Sequence, residues 1–113
     1  MRKDAPTAES REPAVRAVVA IQNGGFQGMR YDITKEETLI GRNPNTDITL
    51  LDEGISREHA VVVRDPATGT FTIEDLQSTN GTKVNGKSVR SVTLANGDRI
   101  QLGNTLFQFL ICS

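Results

Sequence analysis

Three short polar segments carry side chains suited to gripping an anion. The first is Gly41-Arg42-Asn43-Pro44, which follows the β-branched segment Thr38–Ile40. Glycine allows close backbone approach, proline stiffens the turn, and the planar arginine fork matches phosphate oxygens. The second is Ile55-Ser56-Arg57-Glu58-His59, with a hydroxyl, a second cation and the single histidine of the chain. The third is Ser78-Thr79-Asn80-Gly81-Thr82, four hydrogen-bonding side chains around a turn glycine that suits positive φ. Taken singly, Arg42 reads as a solvated surface arginine and the third segment as a solvated polar turn. Their order along the chain changes that reading.

Other chemistries lack the residues they need. Ser56 and His59 suggest a nucleophile and base, but no orienting carboxylate is identifiable and no oxyanion motif accompanies them. His59 therefore reads as a residue that braces its loop. One histidine, one cysteine (Cys112) and scattered acids make no metal-ligand spacing, and no cofactor is expected. Asn23-Gly24-Gly25-Phe26-Gln27-Gly28 lacks the lysine and helix of a nucleotide-binding P-loop.

The formal net charge of −1 leaves no broad basic field for nucleic acid or an anionic membrane. Few aromatic residues are present to stack bases. Any bound anion must be held locally. No apolar run approaches a membrane span, the N-terminus lacks a secretory signal, and the expected location is the cytoplasm.

The elements that position these loops read as strands. Residues 1–13, with Pro6, Thr7, Ser10 and Pro13, form an expected flexible tail. From Ala14 onward, short apolar runs alternate with turn signals. Strands are expected over Ala14–Ile21, Met29–Ile33, Thr38–Ile40, Ile48–Leu51, Ala60–Arg64, Phe71–Leu76, Thr82–Val84, Ser88–Val92, Arg99–Leu102 and Thr105–Ile111. Asn85-Gly86 suits a tight hairpin with two positive φ angles. Ser56–Ala60 could close one helical turn, with Ser56 as cap and His59 at the capping-box position. Ten closely spaced strands without a long helical period predict an all-β antiparallel sandwich with loops clustered at its ends.

The spacing Gly41-Arg42, then Ser56-x-x-His59, then Ser78-Thr79-Asn80-Gly81-Thr82-x-Val84-Asn85-Gly86 resembles the forkhead-associated domain. The run Asp75-Leu76-Gln77-Ser78 extends the match, and the resemblance covers about Val15 to Leu110. It implies an eleven-stranded sandwich over residues 14–113, one strand more than the ten above. It also implies a non-catalytic module that binds phosphothreonine peptides through loops at one end. By that resemblance, Arg42 and Ser56 bind the phosphate, joined by Thr79 through its hydroxyl or backbone N–H. Asn80 clamps the peptide backbone, and Arg57 touches phosphate or peptide. Gly41, His59 and Gly81 hold loop geometry.

The implied partner is a phosphothreonine-containing protein or the chain's own tail through Thr7, with no nucleic acid and no membrane. An inert leader is the plainer reading of that tail. The resemblance also suggests the regulatory part of a larger bacterial signalling protein. The alternative is a degenerate sandwich binding partners without phosphate, which should have lost Arg42 or Ser56.

Overall fold

The computed structural model describes residues 16–112. The tail over residues 1–13 and its Thr7 lie outside them.

Among the described residues eleven strands run in chain order: β1 (Arg16–Ile21), β2 (Arg30–Ile33), β3 (Glu37–Gly41), β4 (Ile48–Thr49), β5 (Ala60–Asp65), β6 (Thr70–Asp75), β7 (Thr82–Val84), β8 (Lys87–Val89), β9 (Ser91–Leu94), β10 (Arg99–Leu102) and β11 (Thr105–Cys112). A five-stranded sheet has the order β9-β6-β5-β3-β4, and a six-stranded sheet the order β2-β1-β11-β10-β7-β8. Alternate residues turn inward, as Ala17, Val19 and Ile21 do from β1 and Val62 and Ile73 from β5 and β6. Phe71 from one sheet and Phe109 from the other meet edge to face, with centroids 5.3 Å apart and planes at 62°. Burying each such ring contributes about 1.5–3 kcal/mol, and the pair ties the sheets together.

The eleventh strand comes from a break within Ser88–Val92. Ser88–Val92 reads as one strand, but the chain turns at Arg90. β8 stays in the six-stranded sheet beside β7, while β9 crosses to pair with β6. The Arg90 carbonyl accepts the Asp75 N–H at 2.8 Å and fixes this corner. The sandwich is antiparallel, as expected, except for one pair among the described residues. β3 and β4 pair in parallel, Ile40 with Ile48 and Gly41 with Thr49. The turn between them is built on Thr46, whose buried hydroxyl donates to the Asn43 carbonyl at 2.7 Å.

The helical turn that Ser56–Ala60 could close does not form in this loop. The His59 N–H bonds instead to the Ile40 carbonyl of β3 at 2.9 Å, so sheet pairing wins over the local turn. A short 3₁₀ turn at Gly24–Phe26 was not expected.

Register explains why the polar loops meet. Ile40 of β3 pairs with Ala60 of β5, which pairs with Asp75 of β6. Because β5 is antiparallel to both neighbours, this row is the end of β3, the start of β5 and the end of β6. The loops that leave β3, enter β5 and leave β6 therefore share one end of the sandwich.

Candidate functional site

The β3–β4 and β4–β5 loops are joined through backbone. Arg42 N–H donates to the Ser56 carbonyl and Asn43 N–H to the Arg57 carbonyl, each at 3.1 Å. This approach requires glycine at position 41. A Cβ built there would lie 2.0 Å from the Arg57 carbonyl oxygen, inside any permitted contact. The Arg42 side chain is exposed, and its Nε–H is held by the Ile55 carbonyl at 3.1 Å. That bond fixes Nε and leaves both terminal amino groups without a partner among the described residues.

The β6–β7 loop is tied to the same place by Ser56 and Asn80. The Thr79 N–H donates to Ser56 Oγ at 3.0 Å, and Asn80 Nδ2 donates to the Gly54 carbonyl at 2.9 Å. Ser56 Oγ thus acts as acceptor within the protein and keeps its own proton to donate outward. Since the Thr79 N–H is committed, its exposed hydroxyl is the group that Thr79 can offer an anion. Asn80 keeps its carbonyl oxygen and one amide hydrogen for a ligand's backbone. Arg57 is exposed, and among the described residues nothing holds its side chain.

His59 sits beneath these loops with 0% exposure. Ser56 N–H donates to Nδ1 at 2.9 Å, so Nδ1 carries no proton and Nε2–H donates to the Gly81 carbonyl at 2.8 Å. The imidazole is a neutral strut between the second and third loops. A carboxylate does approach it, contrary to the sequence reading, but Asp75 Oδ1 stands 3.9 Å from Nε2, too far for a hydrogen bond. Ser56 Oγ faces Thr79 rather than the ring. These residues form no nucleophile–base pair.

Asp75 organises the third loop, and the sequence offered it only as part of a run. Oδ1 accepts the Ser78 hydroxyl and, at 2.7 Å, the Thr82 hydroxyl. Oδ2 accepts the Ser78 N–H at 3.1 Å, and Ser78 Oγ in turn accepts the Gly81 N–H at 2.9 Å. Gly81 then turns with φ of +84°. Burial opposes the Asp75 charge, but these donors outweigh it and hold the carboxyl below its ordinary value.

Asp52 braces the second loop likewise, accepting the Gly54 and Asn104 N–H groups at 2.8 Å and the Thr105 hydroxyl at 2.9 Å. Both acids bind donors two to seven positions onward or far along the chain, and only the first pattern leaves a local signal.

The structure thus brings Arg42, Ser56, Arg57, Thr79 and Asn80 together at one open end, over Gly41, His59 and Gly81. A guanidinium, two hydroxyls and a carboxamide converge there, and among the described residues no cluster of His, Cys, Asp and Glu could hold a metal. A family model described as the FHA domain matches residues 38–103, more than half of the chain. The chain belongs to the forkhead-associated family. Forkhead-associated domains are non-catalytic protein-interaction modules, and this one is not an enzyme.

The chain is 37% identical over 116 residues to the glycogen accumulation regulator GarA of Mycolicibacterium smegmatis, across 95% of this chain and 72% of that protein. It is 37% identical over 98 residues to an oxoglutarate dehydrogenase inhibitor of Corynebacterium jeikeium, across 87% of this chain and 67% of that one. A domain solved in a study of phosphothreonine-dependent FHA interactions superposes with a TM-score of 0.80 and 31% identity. That match covers 87% of this chain and 98% of the other. No helix among the described residues is long and apolar enough to cross a membrane.

Proposed function

We propose that this domain binds phosphothreonine on a partner protein phosphorylated by a Ser/Thr kinase. A phosphothreonine brings about −1.5 to −2 charges and three acceptor oxygens. Arg42 supplies the fixed fork of donors, while Ser56 and Thr79 supply hydroxyl donors at defined positions. Arg57 adds a mobile cation at the rim, and Asn80 holds the peptide backbone beside the phosphate. The supporting observation is the geometry of Ser56. Its oxygen accepts the Thr79 N–H, which leaves its proton free to donate beside Arg42, whose Nε–H is held by the neighbouring Ile55 carbonyl.

The near-neutral chain keeps recognition local rather than field-driven. Recruitment in the cytoplasm, as the regulatory part of a bacterial signalling protein, fits this role. It is in keeping with relatives that carry the names of a regulator and an enzyme inhibitor. The test is binding of a degenerate phosphothreonine peptide library, with matched phosphoserine and unphosphorylated libraries. Phosphothreonine should exceed phosphoserine by about 1–3 kcal/mol if a pocket takes the γ-methyl group. Equal binding of the unphosphorylated library would overturn the proposal.

A further inference from the structure

The outer face of the five-stranded sheet carries a groove that phosphate recognition does not use. Register places Leu39, Val61 and Glu74 in one cross-strand row and Glu37, Val63 and Thr72 in the next. Leu76 continues the first floor towards the loop that bears Thr79, and 37% of it is exposed. Single exposed apolar residues on a strand need no explanation. Here half-buried Leu39, Val61 and Val63 meet exposed Leu76 in one depression.

The rim has a definite sign. Glu36, Glu37, Glu74 and Asp47 line it, against one lysine, Lys35, which is already paired with Asp47 at 2.6 Å. Asp47 also accepts the Leu39 N–H at 2.8 Å and is held below its ordinary value first by that bond, then by Lys35. In a chain of net charge −1 this is a local acidic excess around an apolar floor. The outer face of the other sheet presents the opposite character: Arg30, Arg99 and Lys83 lie on it in register with Ala20, Gln108 and Gln101.

We infer that the Leu39–Val61–Val63–Leu76 groove is a second, phosphate-independent docking surface for a basic segment of a partner protein that interleaves aliphatic residues with lysine or arginine. Aliphatic side chains fill the floor, and the cations reach Glu37, Glu74 and Glu36 on the rim. Opposite charge across such a contact steers encounter and selects against acidic segments. Leu76 lies two residues before Ser78, so an occupant of the groove would lie next to the phosphate site without competing for it.

The test selects unphosphorylated random peptides displayed on phage against the full chain. Enriched peptides should combine Leu, Ile or Val with Lys or Arg, and their affinity should fall as salt rises. Val61→Lys should weaken them tenfold or more and Glu74→Lys severalfold, while Arg42→Ala leaves them unchanged. Thermal melting of both groove variants checks that the sandwich is intact. Three outcomes would overturn the inference. One is no enrichment, and another is enriched peptides that ignore both groove substitutions. The third is concentration-dependent self-association of the unphosphorylated chain lost in Val61→Lys and in Arg99→Glu, which would make a second copy the occupant. Loss of phosphopeptide binding in Arg42→Ala is read separately and does not bear on the groove.

Discussion

Ser56 and His59 meet through the backbone of one and the ring of the other: the Ser56 N–H donates to His59 Nδ1 at 2.9 Å. Only half of a helix capping box is formed, and the half that is missing frees the Ser56 hydroxyl for the binding face. His59, wholly buried, is therefore expected to shape the site without touching a ligand. His59→Ala leaves the Ser56 N–H and the Gly81 carbonyl without their partner in a buried place. Each such group costs about 1–3 kcal/mol. Urea unfolding should show a loss of that order, with weaker phosphopeptide binding as its consequence. Lost affinity at unchanged stability would make His59 a ligand and revive an enzymatic reading.

The two structural glycines should differ in what they tolerate. At Gly81 a Cβ meets open space, so Gly81→Ala suffers only from its φ of +84°, a penalty of about 1–2 kcal/mol. At Gly41 the Cβ collides with the Arg57 carbonyl, which is backbone. Gly41→Ala must push the second loop away from Arg42 and should lower both melting temperature and phosphopeptide affinity more than Gly81→Ala does. Comparable effects would mean that the two loops are not held in this contact.

Acid should weaken the fold through three carboxylates. Asp47, Asp52 and Asp75 are all lowered from the ordinary value of 3.8. For Asp52 and Asp75 burial acts against ionisation, and accepted hydrogen bonds outweigh it. A depressed native value means that the unfolded chain binds protons first as pH falls. The stabilisation is complete above about pH 4 and disappears as pH drops through the lower native values. Asp75→Asn should lower stability at neutral pH and flatten this acid limb, as followed by denaturant melts across pH. An unchanged acid limb would show that the Ser78 and Thr82 donors do not hold that charge.

The tail can be tested through Thr7. β1 begins at Arg16, paired with Cys112, and runs towards Gln22 and Asn23, whose contacts reach Leu106 and Asn104 beside the second loop. β1 thus begins at the end of the sandwich away from the proposed phosphate site. Nine residue steps span at most roughly 30 Å, and a six-residue strand uses about 20 Å of that before any turn around the fold. Docking between chains is expected over docking within one. A peptide carrying phosphorylated Thr7 should bind the chain, and sedimentation of the Thr7-phosphorylated protein should show association that rises with concentration. No binding at hundreds of micromolar peptide would leave the tail an inert leader.

Much of the site was legible because it depends on local backbone demands. Asn85-Gly86 announces its hairpin, and both residues take positive φ, 53° and 84°. Gly41 beside Arg42 signals a close approach, although not that the approaching atom is the Arg57 carbonyl. What stayed hidden depends on pairing between distant segments. The alternation of Ser88–Val92 does slip by one at Arg90-Ser91, where the strand changes sheets, but a slip within five residues is too short to separate from an irregular strand. The parallel partner of β3 is equally silent, since Ile48-Thr49 would suit either direction. Asp75 leaves little local trace because its partners are scattered over Ser78 and Thr82, and its work appears only once the loop is closed.

The measurement closest to the central claim is calorimetric titration of the chain and its Arg42→Ala variant with a phosphothreonine peptide selected from the library. Removing one member of a desolvated charge pair costs about 2–5 kcal/mol, which is roughly tens- to thousands-fold in affinity. The account predicts a loss in that range with the melting temperature of the free variant little changed. Near-normal affinity in Arg42→Ala would contradict it and place the phosphate elsewhere.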